Sequence, residues 1–271
     1  MIDTGQGVPL VLLPGIQGRW EWMAPAIEAL ARRCRTISFS ASGEKTSGFA
    51  FDESIGFDNF VAQIDAVLDR CGVRRTAICG VSFSGLVAVH YAAARPERVS
   101  ALVLASALPP TWRPDERVRG YLDSPRLGAP LFVARSPGRV GPEIMSAIPT
   151  WRGRLAFSAR QTLRVARAPF SARLMVQRVR LIGEADLLRD CSRIVAPTLV
   201  ITGEEGLDRV VPVAMTREYA RLIPGTRLAT IERTGHIGML TRPDRFAELV
   251  GGFAVEHAAE DHRPHLDRLR A

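Results

Sequence analysis

Residues 75–94 read RTAICGVSFSGLVAVHYAAA, and this stretch decides the fold. Its first part, Arg75–Val81, is a short apolar run that predicts a buried strand, and Phe83–Ala94 has the period of a helix. Ser82 stands between the two. A strand that passes directly into a helix forces this serine into strained backbone angles and raises its hydroxyl above the sheet. The stretch therefore predicts a nucleophile at Ser82.

The neighbours of Ser82 fit such a turn. Small residues are needed two positions before and two positions after the nucleophile, because the turn brings the strand and helix backbones together. Gly80 and Ser84 satisfy this requirement. Ser84 fits less well as the nucleophile, since Leu86 stands two residues after it. Serine and glycine strings of this length also occur by chance, so the placement between a strand and a helix carries the prediction.

The rest of the chain repeats the alternation of short apolar runs and helical segments. The predicted strands are Val8–Leu13, Thr36–Ser40, Arg75–Val81, Arg98–Ser106, Thr198–Thr202 and Thr226–Ile231, and the predicted helices are Trp20–Arg33, Phe57–Arg70, Phe83–Ala94, Pro212–Leu222 and Arg242–Phe253. This order predicts an α/β fold with a mostly parallel central sheet flanked by helices. From about Pro109 to Cys191 no strand is evident. We expect a core of residues 1–108 and 193–271, interrupted by a helical lid of residues 109–192.

The charge of the chain is concentrated in that insertion. The formal net charge is +8, and Lys45 is the only lysine. Between Thr111 and Arg193 there are sixteen arginines and seven acidic residues. A solvated helical face is the favoured explanation, and attraction of an anionic substrate or surface is the alternative. No basic run interleaved with aromatic residues occurs, which disfavours nucleic-acid binding.

Cysteine spacing and hydropathy indicate the setting. Cys34, Cys71, Cys79 and Cys191 form neither a CxxC motif nor a zinc-binding spacing. No signal peptide is recognisable, and no apolar run is long enough to cross a bilayer. We expect a cytoplasmic protein without stable membrane insertion, either a monomer or a homodimer, that acts on a small molecule and uses no cofactor or metal.

From about Thr4 to Val250 the chain resembles the α/β-hydrolase fold superfamily, in its serine esterase, lipase and peptidase branch with a helical lid. The resemblance rests on Gly80–Gly85 and on the order of strands and helices. It implies a catalytic triad in the chain order serine, acid, histidine. The acid is then expected after strand Thr198–Thr202. Asp208 is preferred because it precedes an Arg-Val-Val-Pro segment, and two neighbouring acids remain alternatives, Glu204 and Glu205.

The resemblance also implies a histidine after the last strand. His236, between Gly235 and Gly238, is there, whereas the other four are in the charged tail or within a helix: His90, His257, His262 and His265. The family forms its oxyanion hole from the residue after the nucleophile, here Phe83, and from the loop after the first core strand, here Ile16.

The function implied is hydrolysis of a carboxylic ester, thioester or amide through an acyl-enzyme on Ser82. Two alternatives stay open: a lyase of the menaquinone-pathway type on the same fold, and a ligand sensor that keeps the triad with little turnover. The sequence does not specify the substrate.

The amino terminus is short for this family, because only about seven residues precede the first core strand. Thr36–Ser40 would then be an edge strand with unpaired backbone groups. We expect this edge to be covered by the loop Ala41–Phe57, through its phenylalanines, or by a second subunit.

Overall fold

The computed structural model describes residues 1–123 and 134–260, which form a seven-stranded sheet in the order β1-β3-β2-β4-β5-β6-β7. All neighbouring strands are parallel except β1, which is antiparallel to β3. The strands are β1 Ile2–Thr4, β2 Pro9–Leu13, β3 Arg35–Ser38, β4 Thr76–Val81, β5 Val99–Ala105, β6 Thr198–Thr202 and β7 Arg227–Thr230. The predicted α/β fold with a mostly parallel sheet is confirmed.

Helices cover both faces of this sheet. Within the described ranges they are α1 Ala24–Leu30, α2 Asp58–Arg70, α3 Ser84–Ala94, α4 Glu116–Asp123, α5 Ser136–Ala147, α6 Trp151–Arg167, α7 Ala172–Leu181, α8 Leu187–Ser192, α9 Val213–Thr216, α10 Tyr219–Leu222, α11 Gly238–Thr241 and α12 Pro243–Glu260, with 3-10 turns at Trp20–Met23, Glu53–Ile55 and Pro96–Arg98. None of them is both long and apolar enough to span a bilayer. The expected helix Pro212–Leu222 is divided into α9 and α10.

The burial of the central strands explains why the sheet could be predicted from the sequence. Every residue of β4 and β5 is buried. In β4, Ile78 belongs to the apolar cluster that includes α2 and α3, while Ala77 and Cys79 belong to the cluster that includes α1 and α12. Because helices bury both faces, these strands are continuous apolar runs instead of alternating ones.

Between β5 and β6 the described elements are all helices, α4 to α8, joined by irregular loops. Its last helix, α8, packs on α3, and Leu187 and Cys191 are buried in the α2–α3 cluster. Helix α6, in contrast, has no buried residue. We call the described parts of residues 109–192 the insertion.

The prediction for the sheet edge is wrong. Ile2–Thr4 forms β1 and pairs antiparallel with β3, so neither the loop Ala41–Phe57 nor a second subunit is needed to cover that strand. An ion pair between Asp3 and Arg35, 2.7 Å apart, joins the two strands. Gly5, at φ +79°, lets the chain pass the backbone of Ala31 and Cys34, where a side chain would collide. Three residues are too few for a recognisable strand pattern.

The loop Ala41–Phe57 lies elsewhere. Phe49 and Phe51 pack against the α2–α3 cluster, and a Cβ on Gly43 would lie 2.7 Å from Leu174 of α7. The loop therefore packs between the core and the insertion and does not cover the sheet edge.

Candidate functional site

Ser82 lies at the turn between β4 and α3 and has φ +54°, a left-handed conformation that is rare outside glycine. The turn is possible only with glycine on either side of it. A Cβ on Gly80 would lie 2.2 Å from the Ser84 carbonyl oxygen, and one on Gly85 would lie 2.3 Å from Ala107 Cβ. The sequence argument identified Gly80, whereas the need for Gly85 is visible only once the strand after it is in place.

The side chains of Ser82, His236 and Asp208 form a chain of two hydrogen-bonding contacts. His236 Nε2 is 3.1 Å from Ser82 Oγ, and His236 Nδ1 is 3.2 Å from Asp208 Oδ2. The Asp208 side chain is 1% exposed and that of His236 is 12% exposed. The structure thus brings together three side chains that are 28 and 154 positions apart in the chain.

Asp208 is held by backbone as well as by the imidazole. Its Oδ1 accepts hydrogen bonds from the amides of Val210 and Val211, at 3.0 and 2.9 Å. Burial alone would raise the pKa of Asp208, but the charge and hydrogen bond of His236 and the two amides outweigh it and lower the pKa below its ordinary value. The carboxylate is therefore ionised next to the imidazole.

Two loops reach this position because their backbones pack directly on each other. We call residues 203–211 the acid loop and residues 233–237 the histidine loop. A Cβ on Gly235 would lie 2.3 Å from the Leu207 carbonyl oxygen, and one on Gly203 would lie 2.4 Å from that of Thr234. The Glu204 amide also donates to the Thr234 carbonyl at 2.8 Å. Glycine at both points sets the distance between the acid and the imidazole.

The alternative acids make other contacts. Glu204 accepts a hydrogen bond from the Arg233 amide at 2.8 Å, and Glu205 pairs with Arg217 at 3.4 Å. Neither pairs with His236. Of the other histidines, His90 lies between Asp190 and Asp58, and His257 packs on Phe253, while His262 and His265 are outside the described residues.

The proposed oxyanion donors flank Ser82. Phe83 is the next residue, and Gly15, which precedes Ile16, is close enough that a Cβ on it would lie 3.7 Å from Ser82 Cβ. Within the described chain, no protein group accepts a hydrogen bond from the amide of Ile16 or Phe83. The Ser84 hydroxyl donates to the Pro14 carbonyl and thereby ties the start of α3 to this loop.

Two buried charges from the insertion were missed in the sequence. Arg178 of α7, 1% exposed, donates to the Ile16 carbonyl at 2.7 Å and pairs with Glu44 at 2.9 Å. Glu143 of α5, 0% exposed, accepts a hydrogen bond from the Ile237 amide at 3.0 Å. One available signal was that Glu143 is the only acidic residue between Asp123 and Glu184.

A pocket with about 320 Å³ of space, partly open to solvent, lies behind the oxyanion candidates. Its lining includes Gly15, Phe83, Ser84 and Arg178 together with apolar side chains of the core, and it includes neither Ser82 nor His236. The pocket therefore adjoins the turn that carries Ser82, and neither Ser82 nor His236 lines it. No group of three or more His, Cys, Asp or Glu side chains suited to a metal occurs in the described part of the chain.

Comparison with known proteins gives a consistent result. The model of the alpha/beta hydrolase family matches residues 10–249. A protein of Azorhizobium caulinodans to which carbamate hydrolase activity is assigned (RutD) is 26% identical over 263 residues, 93% of each chain. The pimeloyl-[acyl-carrier protein] methyl ester esterase of Nitrosomonas europaea is 25% identical over 256 residues, 90% of this chain and 94% of its own.

Solved structures show the same fold at lower identity. The enol-lactonase from Burkholderia xenovorans LB400 has a TM-score of 0.76 and 22% identity, over 93% of this chain and 94% of its own. MenH from S. aureus has a TM-score of 0.71 and 24% identity, over 95% of this chain and 96% of its own. The family model covers well over half of the sequence, and the chain therefore belongs to the alpha/beta hydrolase family.

Proposed function

We propose that this chain hydrolyses a carboxylic ester through an acyl-enzyme on Ser82, with thioesters and amides open to the same chemistry. His236 Nε2 takes the Ser82 proton while Oγ attacks the carbonyl carbon. Asp208 accepts the Nδ1 proton in a hydrogen bond and stabilises the imidazolium. The amides of Ile16 and Phe83 donate to the oxyanion. The imidazolium then protonates the leaving alcohol, and water releases the acid by the same steps.

One observation carries the proposal: the chain of contacts from Ser82 Oγ through His236 to Asp208, at 3.1 and 3.2 Å. A strained serine held against an imidazole, which is itself held by a buried carboxylate, is the arrangement that activates a hydroxyl. A purely structural serine would need neither the strain nor the imidazole.

The names of the relatives favour hydrolysis. One is assigned to carbamate hydrolysis and another is a methyl ester esterase, and each matches this chain over about nine tenths of its length. Ester cleavage is the simplest chemistry that fits both the names and the site. The substrate in this proposal is a small molecule.

We propose that the insertion, residues 109–192, acts as the lid over this site. Its helices supply Glu143 to the histidine loop and Arg178 to the loop that carries Ile16. Arg178 is paired with Glu44, so this arginine has no uncompensated charge for an anionic substrate.

Turnover of p-nitrophenyl esters of increasing acyl length tests the proposal. We expect a burst followed by steady release, and a loss of about 10⁴–10⁶ in rate for Ser82→Ala with an unchanged circular dichroism spectrum. Stoichiometric release without turnover would instead indicate a ligand sensor, and intact esters would leave both alternatives, the lyase and a nearly inert sensor. Full activity in Ser82→Ala would refute the assignment of the nucleophile.

A further inference from the structure

Among the described residues of the insertion, Glu143 is the only carboxylate that contacts the histidine loop and the helix after it, α11. One oxygen accepts a hydrogen bond from the Ile237 amide at 3.0 Å, and the other accepts one from the Thr241 hydroxyl at 3.1 Å. The donors are 94 and 98 positions away in the chain and stand on the carboxyl side of His236. The carboxylate therefore ties α5 to the residues that orient the imidazole.

In the described part of the chain this buried carboxylate has no arginine or lysine partner. Within the described residues no arginine or lysine forms an ion pair with Glu143. Arg139, one turn earlier on α5, donates to Ser136 instead, and Arg233 of the histidine loop donates to the Ser146 carbonyl. Burial of a carboxylate that is only hydrogen-bonded is unfavourable.

His236 is the cationic group that can compensate this charge. Burial raises the pKa of Glu143, while the Ile237 and Gly235 amides and the charge of His236 act against that rise. Among the described residues, Asp208 of the acid loop contacts the imidazole directly, and Glu143 of α5 interacts with it through charge.

We propose that Glu143 is a positioning residue for His236: it holds the histidine loop through Ile237 and Thr241, and its negative charge stabilises the imidazolium formed when Ser82 is deprotonated. This inference rests on the proposed function, because His236 must act as the base. The hydrogen bonds of Glu143 go to Ile237 and Thr241 and not to Ser82 or the imidazole, so its effect on the reaction passes through His236.

The test is the pKa of His236 in Glu143→Gln, measured by NMR titration of the imidazole and by the acid limb of kcat/KM. Gln keeps the size of the side chain and removes its charge. We expect the acid limb to move to lower pH, because loss of a nearby opposite charge disfavours the charged imidazole. We also expect kcat/KM on the plateau to fall by about tenfold, because the imidazolium loses part of its charge stabilisation.

Two controls separate charge from contact. Thr241→Val removes one hydrogen bond and leaves the carboxylate, so it should leave the pKa of His236 unchanged. Glu205→Gln removes an exposed carboxylate on the acid loop and should change neither quantity. An unmoved pKa of His236 in Glu143→Gln, with or without a loss of activity, would overturn the proposal.

A third variant applies if Glu143→Gln does not fold. Glu143→Asp keeps the charge on a shorter side chain, so it should lower kcat/KM while the acid limb stays in place. Wild-type kcat/KM in this variant would overturn the positioning role. The NMR titration does not require turnover. If the wild-type protein lacks esterase activity while Glu143→Gln still shifts the pKa of His236, the proposed function is refuted and the electrostatic role of Glu143 stands.

Discussion

Two buried carboxylates act on His236, and they differ in how their charge is compensated. Asp208, from the core, accepts hydrogen bonds from two amides of its own loop and contacts the imidazole, and its pKa is lowered. Glu143, from the insertion, accepts one from a backbone amide and one from a hydroxyl, both far away in the chain, and its pKa is raised. Similar burial thus gives opposite shifts.

The difference follows from where each residue stands. The acid loop follows a buried strand and turns back on itself, so its amides are already aimed at Asp208. The insertion packs on the core, and two of its long side chains, Glu143 and Arg178, reach loops next to the site. Its two buried charges, Glu143 and Arg178, each hold a loop that the core has already placed. The core thus positions Ser82, His236 and Asp208, and the insertion contacts the loops beside them.

The largest predicted difference between the two carboxylates is in rate. Asp208→Asn should lower kcat by about 10⁴, because the amide holds His236 in the wrong tautomer. Glu143→Gln should cost only about tenfold, since it acts through the charge on the imidazolium. Steady-state kinetics on a p-nitrophenyl ester measure both.

Glu204→Gln and Glu205→Gln are the matched controls on the acid loop, and both should keep nearly full activity. The acid would have to be reassigned if either of them lost several orders of magnitude while Asp208→Asn stayed near the wild-type rate.

The sequence singled out three core side chains that the structure brings together, and it missed the two buried charges of the insertion, for a physical reason. Ser82 and His236 stand at strand ends flanked by glycines, so local pattern and chain order locate them. The contacts of Glu143 and Arg178 join residues about 94 to 162 positions apart, and no local pattern encodes them. Strand β1 was missed because three residues, Ile2–Thr4, are too few to show a period.

The second prediction concerns the ion pair of Arg178 and Glu44, which are 1% and 3% exposed. Burial raises the pKa of Glu44 and lowers that of Arg178, and in both residues this effect of burial outweighs that of the ion pair. Arg178→Met leaves Glu44 buried and unpaired, and should lower the free energy of unfolding by about 3–5 kcal/mol. Urea denaturation measures this loss.

Adding Glu44→Gln to Arg178→Met should restore part of that stability, because it removes the uncompensated charge. A loss below about 1 kcal/mol for Arg178→Met would show that the pair is surface-like, and would remove one of the two anchors assigned to the insertion.

A smaller effect should appear at the strained turn of the core. Ser82 has φ +54°, which glycine adopts without strain and alanine does not. Ser82→Gly should therefore be more stable than Ser82→Ala by about 1 kcal/mol, while both lack activity. Thermal unfolding of the pair measures this difference, and equal stability would argue against strain at Ser82.

The smallest predicted effect is a difference in pH dependence of stability. The lowered pKa of Asp208 contributes stability above its ordinary value of 3.8, which is lost as the pH falls through the folded value. The raised pKa of Glu143 has the opposite sign: stability falls as the pH rises from the ordinary 4.5 to the folded value.

Unfolding free energies across the acid range should show these signs. As the pH rises through the two windows, Glu143→Gln should gain stability relative to wild type, and Asp208→Asn should lose it. The same sign for both variants would contradict the contrast drawn between the two carboxylates.

The central claim is that Ser82 is the nucleophile, and a fluorophosphonate probe tests it directly. Mass spectrometry of the labelled wild-type protein should find one adduct, on the peptide that contains Ser82 and at that residue, with none in folded Ser82→Ala. Labelling of Asp208→Asn should be much slower, because its imidazole is wrongly held. An adduct on Ser84, or persistent labelling of Ser82→Ala at the same rate, would contradict the account.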